Sequence, residues 1–349
     1  MKKIKVLIVD DSALVREILA KGLSQDPEIE VVGTAADPYI ARDKIVQLLP
    51  DVLTLDVEMP RMDGIEFLRR LMPQYPLPVV VVSALTKKGA SITLDAFEAG
   101  AVEVVTKPNT DIKRGLTMML NELRTKVKIA ASTNLRVLLS NKNSQPVPLK
   151  KPGRALAEST DKVIAIGAST GGTEAIRSII SSFHSTMPGT VIVQHMPAGF
   201  TKHFAERLNG LSAMEVMEAK TGDRVMPGRV LIAPGGRQMT VIRSGGIYQV
   251  NCDSTEEVNG HCPSVEMLFQ SVAKYVGANA VGIMLTGMGG DGAEGMLAMR
   301  LAGARTIAQD EATSIVFGMP RVAYEKGGAE CLLPLKSMPG EIVKLLNAG

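Results

Sequence analysis

Val163-Ile-Ala-Ile-Gly-Ala-Ser-Thr-Gly-Gly172 decides how the second half of this chain is read. Val163 to Gly167 form a short apolar run with β-branched character, the pattern of a buried strand. A turn of small residues follows, with a hydroxyl at Ser169 and two glycines, Gly171 and Gly172. Beyond it, Thr173-Glu-Ala-Ile-Arg-Ser-Ile-Ile180 sets Ile176, Ile179 and Ile180 on one helical face. Ser169 is therefore expected where a buried strand turns sharply into a helix. Glycine tolerates the positive φ of such a turn. The helix start aims unpaired backbone N–H groups at whatever lies beside the serine. The turn matches the G-x-S-x-G pattern, Gly167-Ala-Ser169-Thr-Gly171, which suits a nucleophile with an oxyanion site next to it. From this stretch alone a phosphate or dinucleotide cradle, or a plain turn, reads equally well. The rest of the chain has to decide.

At 349 residues the natural prior is two domains. A hydrophobic content of 45% is enough for real cores, and with no Trp, 5 Tyr and 7 Phe those cores should be aliphatic and Met-rich. The formal net charge of +3 gives no electrostatic footprint for nucleic acid. Cys252, Cys262 and Cys331 are too few and too scattered for a disulfide framework or a typical zinc site. The chain starts Met1-Lys-Lys-Ile-Lys5 with no apolar signal-peptide region, and no run reaches membrane-spanning length. The expectation is a soluble cytoplasmic protein, without nucleic acid as partner and without membrane insertion.

Through residue 125, apolar runs alternate with helical patterns, and each run ends in polar residues. Lys5–Val9 leads to Asp10 and Asp11, Asp51–Leu55 to Asp56, Pro78–Val82 to Ser83, and Val102–Val105 to Thr106 and Lys107. Ile29–Gly33 is a fifth candidate strand. This alternation indicates a doubly wound parallel α/β sheet, whose ligands bind beyond the carboxyl ends of the strands. Asp10, Asp11, Asp56, Ser83 and Lys107 should then gather at one edge. Carboxylates so close repel one another unless a cation sits among them, and oxygen ligands of this kind suit Mg²⁺. Lys107 and the Ser83 hydroxyl would complete a site for a phosphoryl group. Any one of these residues alone reads better as a strand cap.

These residues, with Glu58-Met-Pro60, Met62-Asp-Gly64 and Lys107-Pro108, resemble the receiver domain of two-component response regulators. The resemblance spans 1–125 and implies a flavodoxin-like fold. It implies Asp56 as phosphoacceptor, Ser83 and Lys107 as switch residues, and Mg²⁺ held by the acidic pair Asp10-Asp11, Asp56 and the backbone carbonyl of Glu58. It also implies a cis bond at Lys107-Pro108. Where receivers often carry a switch aromatic, this chain has Val104.

Asp111 to Leu139 reads as one long helical stretch. After Ser140 the polar, proline-containing sequence, with Lys150-Lys151, reads as exposed linker, so 126–160 is the expected connection and 161–349 the second domain.

In the second domain Thr190–Gln194 ends in His195, and Ala280–Thr286 leads to Gly287-Met-Gly-Gly-Asp291-Gly292. If these strands lie parallel to Val163–Gly167, then Ser169, His195 and Asp291 meet at one edge. They have the parts of a nucleophile, a general base and an orienting carboxylate. Each has a plainer reading: His195 as a local hydrogen-bonding residue, Asp291 as a helix cap. The four histidines allow a check. His203 sits inside a helical pattern, His184 lies at the wrong end of the Ser169 helix, and His261 is a loop residue beside Cys262. A Cys262–His261 nucleophile pair is disfavoured because adjacent residues rarely face each other productively. A dinucleotide site would want G-x-G-x-x-G spacing, and a DNA-binding output a helix-turn-helix with a basic face; neither is present.

Ile164–Gly172, Gln194-His-Met-Pro197 with Gly199-Phe-Thr201, Ile232–Gly236, Leu285–Ala293 and Val316–Pro320 resemble the catalytic domain of chemotaxis-receptor methylesterases of the CheB type. The resemblance implies a Rossmann-like α/β domain and the triad Ser169, His195 and Asp291. It implies backbone N–H groups near Thr170 and Met288 as the oxyanion site, and no cofactor for the esterase. It further implies hydrolysis of glutamyl γ-methyl esters and deamidation of glutamines on chemoreceptor cytoplasmic helices. The implied phosphodonor is the chemotaxis histidine kinase, with an unphosphorylated receiver covering the active-site cleft. The family's His-Arg-Pro-Ser-Val segment is here His261-Cys-Pro-Ser-Val265. A response regulator whose second half only binds a ligand or partner is the competing reading.

Overall fold

The structure is a computed structural model that describes residues 2–84, 94–108, 112–142 and 161–347. The expected linker beyond residue 142, with Lys150 and Lys151, lies outside the described residues. The chain divides into two compact units, Met1–Lys142 and Asn143–Gly349.

In the first unit β1 (Ile4–Val9), β2 (Ile29–Ala35), β3 (Val52–Asp56), β4 (Val79–Ala84) and β5 (Glu103–Lys107) form a parallel sheet ordered β2-β1-β3-β4-β5. The apolar runs are covered on both faces: Val6, Leu7, Ile8, Leu53, Leu55, Val80 and Val105 are buried. The flanking helices start where the sequence provides caps. Ser12 accepts from Val15 N, Asp37 from Tyr39 N and Ile40 N with Pro38 at the first turn, and Asp63 from Glu66 N. The strand order changes direction between β1 and β3, the place where doubly wound sheets bind ligands. Asp10 and Asp56 stand there.

The long helical stretch expected over 111–139 is divided into Ile112–Ala131 and Leu135–Lys142. Ser132 Oγ and Thr133 Oγ1 both donate to Ile129 O, at 2.7 and 3.2 Å, competing with the backbone ladder. Asn134 Oδ1 then accepts from Val137 N and starts the second helix.

In the second unit β6 (Val163–Ala168), β7 (Gly189–Gln194), β8 (Glu215–Glu218) and β9 (Arg229–Ile232) precede an antiparallel hairpin, β10 (Thr240–Ser244) with β11 (Ile247–Asn251). After it come β12 (Ala280–Met284), β13 (Arg305–Gln309) and β14 (Cys331–Leu333). The hairpin stands apart, and the other strands form a parallel sheet ordered β14-β13-β12-β6-β7-β9-β8. Strand β6 is central, with Gly167 opposite Met284 on one side and Val193 on the other. The carboxyl ends of β12, β6 and β7 are thus neighbours. Phe269, Leu268, Met296 and Met299 belong to the buried hydrophobic core that backs them.

Among the described residues the cis peptide bond is Cys262–Pro263; the Lys107–Pro108 bond, implied to be cis, is not one. Among them no helix is long and apolar enough to cross a membrane.

Candidate active site

Ser169 directly follows β6 and is half-buried. Its N–H donates to Thr286 O at 3.0 Å, which ties the turn to the end of β12. Gly171, with φ +78°, caps the helix Gly172–Ile180 without a side-chain hydrogen bond. That left-handed conformation strains any residue with a Cβ, and a Cβ there would also lie 2.7 Å from Ile315. The two-glycine ending read from sequence is therefore required by the turn.

His195 follows β7, and its N–H donates to Ala168 O at 3.1 Å. The amide of Gln194 locks the two strand ends together, donating to Ser169 O at 2.9 Å and to His195 O at 3.2 Å. The imidazole Nε2 lies 2.9 Å from Asp291 Oδ2, while Nδ1 is buried with no hydrogen-bond partner among the described residues. Because a carboxylate only accepts, the proton belongs on Nε2, and the lone pair is left on Nδ1.

Asp291 is 4% exposed and stands at the end of the loop after β12. Its carboxylate is saturated. Oδ1 accepts from Asn259 Nδ2 at 2.9 Å and Ser264 Oγ at 2.7 Å; Oδ2 accepts from His195 Nε2 and from Val265 N at 2.7 Å. Burial pushes its pKa up, but the donors from His195, Asn259 and Ser264 outweigh this and hold it at about 2. It stays ionised at neutral pH. It does not cap the helix Ala293–Leu301, whose N-cap Gly292 makes no side-chain bond.

Thr170 is buried, and its carbonyl accepts from Thr286 Oγ1 at 3.0 Å. Met288 is 45% exposed and follows Gly287. The backbone at Gly287 passes so close that a Cβ there would lie 2.7 Å from Ser169 Cβ. Both segments expected to supply oxyanion donors therefore border Ser169. Met288 to Gly290 and Pro197 to Gly199 are exposed, so the site opens at its rim.

Sequence reasoning missed one element. Val258–Val265 supplies Asn259, Ser264 and the Val265 N–H to Asp291, and lays His261 on His195 with ring centroids 3.8 Å apart and planes 14° from parallel. Of the two other histidines set aside, His203 faces Glu206 within its helix and His184 bonds Thr186. The one signal was the His261-Cys-Pro-Ser-Val265 block; nothing in its local pattern says that it folds over the end of β7.

In the first unit Asp10, Asp11 and Asp56 offer carboxylate oxygens within 4.8 Å of one another. Lys107 Nζ lies 2.9 Å from both Asp10 Oδ2 and Asp56 Oδ2. Burial raises the pKa of Asp56 against the pull of Lys107, with Asp10 adding to the rise. Burial works against the charge on Lys107, but its bonds to Asp56 and Asp10 prevail and raise its pKa. Ser83 is buried at the end of β4, and Glu58 is exposed in the turn after β3. Val104 is buried, and its carbonyl accepts from Lys126 Nζ at 2.5 Å. Three hard oxygen donors, with the Lys107 ammonium as their one ammonium partner among the described residues, fit a divalent cation such as Mg²⁺.

Residues 164–342 match the family described as CheB methylesterase, and residues 6–119 the response regulator receiver domain. A protein-glutamate methylesterase/protein-glutamine glutaminase of Syntrophotalea carbinolica is 69% identical over 99% of this chain and 98% of its own length. One from Sulfurimonas denitrificans is 53% identical over 99% of both. The crystal structure of the Thermotoga maritima CheB methylesterase catalytic domain, 36% identical, covers 54% of this chain and 100% of its own, with a TM-score of 0.52.

Proposed function

The chain belongs to the CheB methylesterase family, with a response-regulator receiver in front of the esterase, and we propose that Ser169, His195 and Asp291 carry its hydrolysis of protein glutamate γ-methyl esters. It is a serine carboxylesterase with protein-glutamine deamidase activity. Its role is in chemotaxis adaptation under phosphorylation control.

The observation that carries the residue assignment is the state of the His195 ring. Nε2 is bound to Asp291, and Nδ1 is buried without a hydrogen-bond partner among the described residues. Such a lone pair, on a histidine whose backbone N–H bonds Ala168 O next to Ser169, suits a general base for that hydroxyl, which does not bond it in this structure. Ser169 Oγ attacks the γ-carbonyl as its proton passes to Nδ1. Asp291, ionised and fully hydrogen-bonded, holds the tautomer and stabilises the imidazolium. The backbone N–H groups of Thr170 and Met288 receive the oxyanion. Collapse breaks the ester C–O bond, and the Nδ1 proton leaves with methanol. Water, deprotonated by Nδ1, then cleaves the acyl-serine and frees the glutamate. For a glutamine side chain the same steps release ammonia.

Substrate and control follow from the family. The substrate is the helical cytoplasmic region of chemoreceptors, and the exposed rim of the site suits a protein surface. The phosphodonor is the chemotaxis histidine kinase, and the setting is the cytoplasm. Asp56 takes the phosphoryl group, and Lys107, whose Nζ lies 2.9 Å from Asp56 Oδ2, holds its oxygens together with Ser83. The carboxylates of Asp10, Asp11 and Asp56 and the Glu58 carbonyl would hold Mg²⁺, which would neutralise charge gathering at the site.

Labelling with an organophosphonate that reacts with activated serines tests the assignment. Mass spectrometry should find the adduct on Ser169 and a strong loss of labelling in His195→Ala. An adduct elsewhere, or undiminished labelling in His195→Ala, would contradict it.

A further inference from the structure

We infer that His261 is a positioning residue: its ring lies flat on His195 and fixes the plane that the Nδ1 lone pair must keep to take a proton from Ser169. The inference rests on His195 being the general base. A ring tied to its surroundings by one hydrogen bond can pivot about that bond. The bond here is Nε2 to Asp291, at 2.9 Å. A pivot would leave the bond intact and swing Nδ1 away from the serine. His261 closes one face of the ring with centroids 3.8 Å apart and planes within 14°, so rotation toward that side is blocked.

The blocking ring is itself held from several directions. Val258 and His261 exchange backbone hydrogen bonds, each 3.0 Å. His261 O accepts from Gln238 Nε2 at 2.9 Å, and Gln238 Oε1 accepts from Ser264 N at 2.8 Å. Cys262 O accepts from Gly236 N at 3.0 Å. Gln238 is 2% exposed, so this clamp is internal and screened from water. The segment that presents His261 also presents three of the four donors to Asp291. One loop thus fixes both the carboxylate that sets the tautomer and the ring that sets the plane. Among the described residues no hydrogen bond engages the His261 ring; its contact with the site is its face.

The face also suits the charge that develops. An imidazolium forms on His195 during the reaction, and a neutral aromatic ring over it is attractive, whereas a second cation would repel it. Burial and the neighbouring His195 push the His261 pKa down to about 4, with Asp291 opposing, so the ring is neutral at neutral pH.

The test uses the full chain, methylated receptor fragments and an acyl-phosphate donor. His261→Phe keeps a flat ring and loses both nitrogens. His261→Gln keeps polarity and similar size and loses the ring. His195→Ala removes the proposed base. The expected result is kcat within about threefold of wild type for His261→Phe, and kcat about 10- to 100-fold lower with unchanged KM for His261→Gln. Melting curves identify any variant that fails to fold. A His261→Gln enzyme with wild-type kcat, or a folded His261→Phe enzyme as slow as His261→Gln, overturns the inference. Those outcomes leave the triad standing if His195→Ala is inactive. Full activity in His195→Ala removes the triad reading and this inference with it.

Discussion

His195 binds Asp291 through Nε2, at 2.9 Å, and the nitrogen left for chemistry is Nδ1. Because Asp291 also accepts from Asn259, Ser264 and Val265, its position does not depend on the imidazole. The carboxylate is a fixed post against which the base is oriented.

Asp291→Asn should therefore do two things. Its amide puts an NH2 donor either where Asn259 and Ser264 already donate or where His195 and Val265 do, so buried groups lose partners, at a cost of about 2–4 kcal/mol in stability. It can also invert the His195 tautomer, putting the proton on the nitrogen meant to accept one. A loss of kcat on the order of 10³- to 10⁴-fold is expected, as for the corresponding change in a serine-protease triad. Steady-state kinetics beside thermal melting checks both.

Ser264→Ala separates structure from chemistry. Ser264 Oγ donates to Asp291 Oδ1 at 2.7 Å and accepts from Glu266 N at 3.1 Å as the cap of the helix Val265–Tyr275. Loss of both should destabilise the second unit by about 1–3 kcal/mol. Asp291 keeps three donors, so kcat should fall by less than about tenfold. A larger fall in kcat without destabilisation would mean that Ser264 acts on the chemistry itself.

Acid should act on this site in two windows. His261 has its pKa lowered from 6.5 to about 4, so the folded state resists a proton that the unfolded chain takes up. Stability is lost as pH falls from about 6.5 toward 4, and His261→Phe should lose less over that range. Asp291 has its pKa lowered from 3.8 to about 2. Its contribution is complete above pH ~4 and disappears as pH falls through about 2, and it amounts to about 2 kcal/mol. Asp291→Asn should flatten this lower window, while the upper one persists because burial and His195 still lower the His261 pKa. Melting temperatures of the wild type and both variants from pH 7 to 2 resolve the two.

At the receiver site, Mg²⁺ should raise the melting temperature of the first unit, because it binds the folded carboxylates and not the dispersed ones. Asp11→Asn should abolish most of that rise. Asp56→Asn should remove the effect of a phosphodonor on esterase rate. It should also leave the protein at least as stable without Mg²⁺, since burial and Asp10 disfavour the Asp56 charge.

Much of this was legible in the sequence because the strands that carry chemistry are central. The runs at Ile4–Val9, Val52–Asp56, Val163–Ala168, Gly189–Gln194 and Ala280–Met284 are buried on both faces, so they are continuous in apolar residues and end at the polar residues that matter. The edge strands Glu215–Glu218 and Cys331–Leu333 are 4 and 3 residues long, too short for any period to show. Hairpin Thr240–Asn251 lies outside the parallel sheet and follows a different pattern. The place of His261 against His195 was not legible for another reason. Its loop reaches His195 from 66 positions away, and long-range closure leaves no local signature. The break at Ser132–Asn134 was legible only as hydroxyl chemistry, which helical periodicity does not register.

The most direct measurement is methanol release from methylated receptor cytoplasmic fragments, comparing the full chain with Ser169→Ala, each with and without an acyl-phosphate donor. The account predicts release that rises with the donor in the wild type and falls by at least about 10³-fold in Ser169→Ala under both conditions. Less than a tenfold loss in Ser169→Ala would contradict Ser169 as the nucleophile, and release indifferent to the donor would contradict control through Asp56.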